Sequence, residues 1–114
     1  MLTHDDVRSH ALALPGVVER DHHGRPSFRV SGKIFATLWD EEHMNLMLDV
    51  DGILTAVQGH ADACQQFLWG GRLRAVSVDL QRATPALVEE LLADAWEGKA
   101  GKRLLAERAA SGDG

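Results

Sequence analysis

Residues 27–39, SFRVSGKIFATLW, decide the fold of this chain, because two alternating segments surround the turn signal Ser31-Gly32. Alternation of apolar and polar side chains is the pattern of a half-buried strand, and a short polar turn containing glycine joins antiparallel neighbours. Ser27–Val30 and Lys33–Trp39 are therefore predicted to form a β-hairpin, with one side of each strand against a core.

The pattern allows two registers for this hairpin. A two-residue turn predicts a shared face of Phe28, Val30, Phe35 and Trp39. A three-residue turn with a glycine bulge predicts instead a shared face of Phe28, Val30, Ile34, Ala36 and Leu38. Both faces of the hairpin are partly apolar, so the sequence leaves both registers open.

Helical and strand patterns continue on both sides of the hairpin. Thr3 is predicted to cap a first helix that ends at Pro15-Gly16, because proline cannot donate the next backbone hydrogen bond. Met44–Val50 alternates cleanly, and Thr84-Pro85 supplies a capping hydroxyl and a first-turn proline for a last helix. The remaining candidates are strands at Val17–Arg20, Cys64–Trp69 and Arg74–Leu80, and a helix at Asp51–Gln58.

The predicted element order is α-β-β-β-α-β-β-α. Strands joined by short turns imply an antiparallel sheet, and helices with one apolar stripe each must cover one face of it. The sequence therefore predicts an α+β fold, a two-layer sandwich whose other sheet face is open to solvent or to a partner. We expect one domain over residues 1–108 and a flexible C-terminal tail over residues 109–114.

Composition is that of an ordinary globular protein, with 45% apolar and 25% charged residues among 114. A single cysteine excludes an intrachain disulfide and favours a reducing compartment. The acidic N-terminus lacks the features of a signal peptide, and no apolar run has the length of a membrane span. These features predict a cytoplasmic protein that has no membrane partner.

Charge is unevenly distributed along the chain. The net charge of −5 weighs against a dedicated nucleic-acid binder, whose affinity comes mainly from Lys and Arg. Two segments are nevertheless locally basic: residues 20–33 hold four basic residues and one acid, and residues 72–82 hold three and one. Trp69 precedes Arg72 and Arg74, which combines the residue types that stack on bases and pair with phosphates.

Motifs for catalysis and cofactor binding are missing from the sequence. It contains no GxSxG, Walker A, HExxH or GxGxxG pattern. Asp21-His22-His23 has no third ligand at a metal-site spacing, so we interpret it as a solvated loop. We interpret Cys64 as a small buried side chain, and Asp40–Glu42 and Asp49–Asp51 as solvated turns. The sequence thus predicts no catalytic residue, no metal site and no cofactor.

Three stretches resemble the MmcQ/YjbR family: ALALPGV at 11–17, PSFRVSGKIFATL at 26–38 and WGGR at 69–72. The resemblance covers nearly the whole chain in order. It implies an α+β fold similar to secretion-chaperone-like and frataxin-like sandwiches, and DNA binding through a double wing of two projecting hairpins. The matching positions are Arg25, Arg29 and Lys33 in one hairpin and Trp69, Arg72 and Arg74 in the other.

Three hypotheses about function follow from these patterns. The first is a non-enzymatic binding domain that contacts DNA weakly through the two basic hairpins. The second is a protein-interaction module, or a homodimer, that uses the open sheet face. The third is a small-ligand-binding protein or an enzyme, which requires a pocket lined by His22, His23 or Trp69.

Overall fold

The computed structural model describes residues 2–112, which form six strands and four helices. In chain order these are α1 His4–Leu12, β1 Val18–His22, β2 Arg25–Val30, β3 Lys33–Leu38, β4 His43–Leu46, α2 Val50–Gly59, β5 Cys64–Trp69, β6 Arg72–Asp79, α3 Pro85–Lys99 and α4 Lys102–Gly112. The predicted α+β class is confirmed. The predicted order counts three strands before α2, whereas the structure has four, one at each of the four predicted strand segments, and it has one more helix after α3.

Two predicted helix starts are confirmed by their capping hydrogen bonds. The Thr3 hydroxyl accepts from the Asp6 backbone N–H at 3.2 Å, and the Asp6 carboxylate accepts from the Thr3 backbone N–H at 2.8 Å. The bond from the Thr3 backbone and that from its hydroxyl lower the pKa of Asp6. The Thr84 hydroxyl accepts from the Leu87 N–H at 3.1 Å, with Pro85 in the first turn of α3. Such caps satisfy backbone donors that have no partner inside the helix.

Two predicted boundaries were wrong. Strand β4 ends at Leu46 instead of Val50, and α2 begins at Val50, with Asp49 as its cap, instead of at Asp51. The Asp49 carboxylate accepts from the Gly52 N–H at 2.7 Å, which closes the first helical turn where alternation suggested more strand. Helix α4 covers the first four residues of the predicted tail, and residues 113 and 114 lie outside the described residues.

The sheet has the strand order β1-β2-β3-β4-β6-β5, and every neighbouring pair is antiparallel. Helix α3 packs on β3 and β4, α2 packs on β5 and β6, and α1 packs on α3. The layer between them is apolar, and its largest fully buried side chains are Trp96, Phe28, Phe35, Leu38, Met44 and Leu46. The helices therefore cover one face of the sheet, and the candidate site lies on the opposite face.

The β2–β3 hairpin combines the two predicted registers. Ser31 and Gly32 have φ of 53° and 78°, as a two-residue turn between right-handed twisted strands requires. A β-bulge next to Phe28 then shifts the pairing, so that Phe28 lies opposite Ala36. Phe35 and Ala36 are both fully buried as a result, and the prediction that only one of them faces the core was wrong.

Charge is separated between the two layers. The six strands together contain six basic and three acidic residues, whereas helices α1 to α3 contain two basic and seven acidic residues. Helix α4 is basic, with three basic residues and one acid, so the net charge of −5 comes from α1 to α3 and from the loops. In the described part of the chain, no helix combines the length and the apolarity that crossing a bilayer requires.

Candidate functional site

The floor of the open sheet face is a row of polar side chains. The register aligns Ser27, Thr37, Asn45 and Ser77 across the four central strands β2, β3, β4 and β6. Ser27 is satisfied within the protein, because its hydroxyl donates to the Arg20 carbonyl at 2.8 Å. Asn45 is only 2% exposed, and its Oδ1 atom is buried without a hydrogen-bond partner.

Three aromatic rings, which we call the aromatic cluster, meet above this floor. The ring centroid of Trp39 lies 5.1 Å from that of Phe67 and 6.5 Å from that of Trp69. Strands β3 and β5 are three strand spacings apart, about 14 Å in a flat sheet. Sheet twist and the bulge between Phe67 and Leu68 are the features that bring side chains from such distant strands together.

Cations accompany the aromatic cluster. The Arg25 guanidinium lies 4.1 Å from the centroid of the Trp39 ring, and its Nε donates to the Trp39 carbonyl at 2.8 Å. Arg74 and Lys99 line the same concave face. None of the three forms an ion pair with a carboxylate of residues 2–112. Their charge is therefore available to an anionic ligand.

One pocket of about 920 Å³ is lined by Thr37 and Asn45 of the floor, by the aromatic cluster and by the cations. His22 and His23 at the β1–β2 turn also line this pocket, with ring centroids 4.4 Å apart. Asp49 is the only carboxylate among its described lining residues. Apolar and aromatic walls with a few polar groups are the usual construction of a ligand site.

The structure brings together only part of the predicted DNA-contacting set. Arg25, Trp69 and Arg74 line the pocket, and Trp69 is 62% exposed. The other three predicted residues, Arg29, Lys33 and Arg72, lie outside the pocket lining. The antiparallel register places the tips of the β2–β3 and β5–β6 hairpins at the same end of the sheet.

Sequence reasoning did not place Trp39, Phe67, Asn45 and Lys99 in the predicted site. Strand alternation was the only available signal for Trp39 and Asn45. It puts Asn45 on the face opposite Met44 and Leu46, which are buried in the core. No local pattern indicates that Trp39, which directly follows β3, touches the rings on β5, because their contact depends on the twist of the whole sheet.

Cys64 and a second groove are less suited to catalysis or ligand binding than the pocket. Cys64 is buried as predicted, and burial, together with the charge of Asp62, raises the pKa of its thiol to about 11. A thiol that stays protonated at neutral pH is a poor nucleophile.

A second groove of about 650 Å³ between α2 and α3 contains Asp51, Glu90 and Asp94. No group of three or more potential metal ligands occurs in the part of the chain that is described.

Comparison with known proteins assigns the family. A family model described as YjbR matches residues 12–98. The chain belongs to the YjbR family. No curated protein matches it. This YjbR chain is similar to the Deinococcus radiodurans protein DR2400, whose crystal structure contains a DUF419 domain. The two chains share 23% sequence identity and superpose with a TM-score of 0.70. The match covers 84% of this chain and 77% of DR2400. This similarity shows the fold.

Proposed function

We propose that this YjbR-family protein binds DNA in single-stranded form on its concave sheet face. The observation that carries the proposal is the half-exposed aromatic cluster beside cations that have no ion-pair partner among the described residues. Bases stack on indole and phenyl rings whatever their sequence, and unpaired guanidinium groups attract the phosphates between them.

The concave shape favours a single strand over a duplex. In a duplex the base faces are stacked inside the helix, so the aromatic cluster could reach them only after unpairing. A single strand presents its bases directly to Trp69, the most exposed ring of the cluster. Arg29, Lys33 and Arg72 on the two hairpins would then contact phosphates farther along the strand, as the double-wing hypothesis supposes.

Charge separation between the layers supports this proposal despite the net charge of −5. The acidic helices α1 to α3 lie behind the sheet, whereas the strands contain six basic and three acidic residues. An anionic strand is therefore attracted to one face and repelled from the other. Because few cations are involved, we expect weak binding and a shallow dependence on salt, with three phosphate contacts giving a log–log slope of about −2.

The test is fluorescence anisotropy of a labelled mixed-sequence 12-nucleotide DNA between 20 and 200 mM salt. Trp69→Ala should weaken binding roughly 5- to 100-fold, the effect of losing one stacking platform. Arg74→Ala should weaken binding and make the slope shallower by about 0.7. Arg82→Ala is the matched control, because Arg82 already pairs with Asp79 and does not line the pocket. Absence of binding by the wild type at 20 mM salt would refute the proposal.

A second candidate function is the binding of a small nucleotide-like ligand. The small-ligand hypothesis requires a pocket lined by His22, His23 or Trp69, and all three residues line the pocket of about 920 Å³. This volume lies within the range of about 300–1,000 Å³ that is typical of small-ligand sites. Competition separates the candidates: if free AMP displaces the labelled DNA at micromolar concentration, the small ligand is favoured over the strand.

A further inference from the structure

We infer that the bound strand continues from the pocket onto the junction between α3 and α4, where Lys102 and Arg103 hold its phosphates. Residues 99–103, which we call the basic junction, have the sequence KAGKR, with three cations and no acid. This inference rests on the proposed function, because it extends the path of the same single strand. It sets the length of strand that the protein engages.

The basic junction begins at the margin of the pocket. Lys99 is the last residue of α3, and it lines the pocket together with Ile34 of β3. Lys102 follows three residues later, so its Cα lies at most about 11 Å from that of Lys99. Lys102 and Arg103 are both exposed. Their long side chains can therefore reach the phosphates of a strand that leaves the pocket past Lys99.

Two contacts fix the basic junction against the rest of the protein. The Gly101 N–H donates to the Ser31 hydroxyl at 3.1 Å, which joins the junction to the turn between β2 and β3. Leu104 packs against Gly16, where a Cβ atom would come within 2.8 Å of the Leu104 Cδ1 atom. The start of α4 is therefore held beside the hairpin, and its cations keep a defined position relative to the pocket.

The charge of this region is available to an anionic ligand. None of Lys33, Lys102 and Arg103 forms an ion pair with a carboxylate of the described chain. Arg108 on the same helix differs, because its guanidinium lies 3.6 Å from the Glu97 carboxylate. A strand whose bases stack on the aromatic cluster presents its phosphates in a continuous row, which matches a run of unpaired cations that leads out of the pocket.

The additional contacts change the salt dependence of binding by a predictable amount. Each phosphate contact contributes about −0.7 to the log–log slope of a single strand, so two more contacts steepen the slope from about −2 to about −3.5. Loss of one contact should weaken binding about 15-fold at 20 mM salt and about threefold at 200 mM, because counterion release contributes more at low salt.

The experiment measures this slope by anisotropy for labelled mixed-sequence DNA of 5 and of 12 nucleotides. Wild type should give about −2 for the short strand, which occupies only the pocket, and about −3.5 for the long strand. Arg103→Gln should weaken binding of the long strand about 15-fold at 20 mM salt and leave the short strand nearly unaffected. Arg108→Gln is the matched control, because it removes one charge from the same helix at a side chain already paired with Glu97.

The possible failures separate this inference from the proposed function. Equal slopes of about −2 for the two strands would overturn the inference and leave the proposed function intact. Equal weakening of long-strand binding by Arg103→Gln and Arg108→Gln would do the same. Absence of binding to either strand would overturn both. The comparison of strand lengths uses the wild-type protein, so it decides the inference even if a variant does not fold.

Discussion

Replacement of Trp96 by phenylalanine is expected to destabilise the fold strongly. Trp96 is fully buried between α3 and the sheet, and its Nε1 donates to the Pro15 carbonyl at 2.9 Å. This bond ties α3 to the loop that follows α1. Phenylalanine keeps an aromatic ring at the position, so the substitution removes the donor and part of the buried surface and little else.

The magnitude follows from two contributions. The smaller ring leaves volume unfilled, which costs about 1 kcal/mol. The Pro15 carbonyl loses its donor, which costs about 1–3 kcal/mol when the acceptor stays shielded from water. The free energy of unfolding should therefore fall by about 2–4 kcal/mol, and Tm by roughly 8–16 °C for a domain of this size.

Urea denaturation followed by circular dichroism measures this loss, with Trp69→Phe as the matched control. Trp69 is 62% exposed, so the same substitution there should change the free energy of unfolding by less than about 0.5 kcal/mol. Equal losses in the two variants, or a loss below about 0.5 kcal/mol for Trp96→Phe, would refute the assignment of Trp96 as the packing and hydrogen-bonding centre of the helical layer.

Three further predictions concern the caps and the buried thiol. Thr84→Ala should lower the free energy of unfolding by about 1 kcal/mol through loss of the cap of α3, whereas Thr84→Ser should stay near wild type in the same urea titration. Folding lowers the pKa of Asp6, so its carboxylate stabilises the fold above the unfolded pKa of about 3.9. This stabilisation is lost as pH falls through the folded-state pKa. Asp6→Asn should therefore flatten the decline of Tm between about pH 5 and pH 2. Cys64, whose pKa is raised to about 11, should react with Ellman's reagent at pH 8 only as fast as the protein opens, and immediate labelling of the native protein would contradict its burial.

Local hydrogen bonding explains which parts of the fold were predictable. The caps at Thr3 and Thr84 and the turn at Ser31-Gly32 depend on residues within three positions of each other, and each was recognised in the sequence. The boundary between β4 and α2 was missed because two local signals compete there. Alternation continues through Val50, but the Asp49 carboxylate closes a helical turn onto Gly52.

The candidate site was predictable only in outline. Charge counting together with the family resemblance identified Arg25, Trp69 and Arg74, which the structure places in the pocket, but also three residues that it places outside the lining. Alternation allowed Trp39 and Asn45 to lie outside the core, but nothing in their own segments assigned them to the predicted DNA-contacting set. Asn45 becomes informative only when its neighbours are known, since an unpaired buried amide is a property of the packed structure.

The sequence by itself determined the α+β class, the hairpin turn, the helix caps at Thr3 and Thr84 and the two basic segments around residues 20–33 and 72–82. All of these follow from periodicity and from contacts between near neighbours in the chain. Only the tertiary structure decided the bulge that buries Phe35 together with Ala36, the meeting of Trp39 with Trp69, and the isolation of Asn45. These depend on strand register and on twist accumulated over several strands, which no short stretch of sequence specifies.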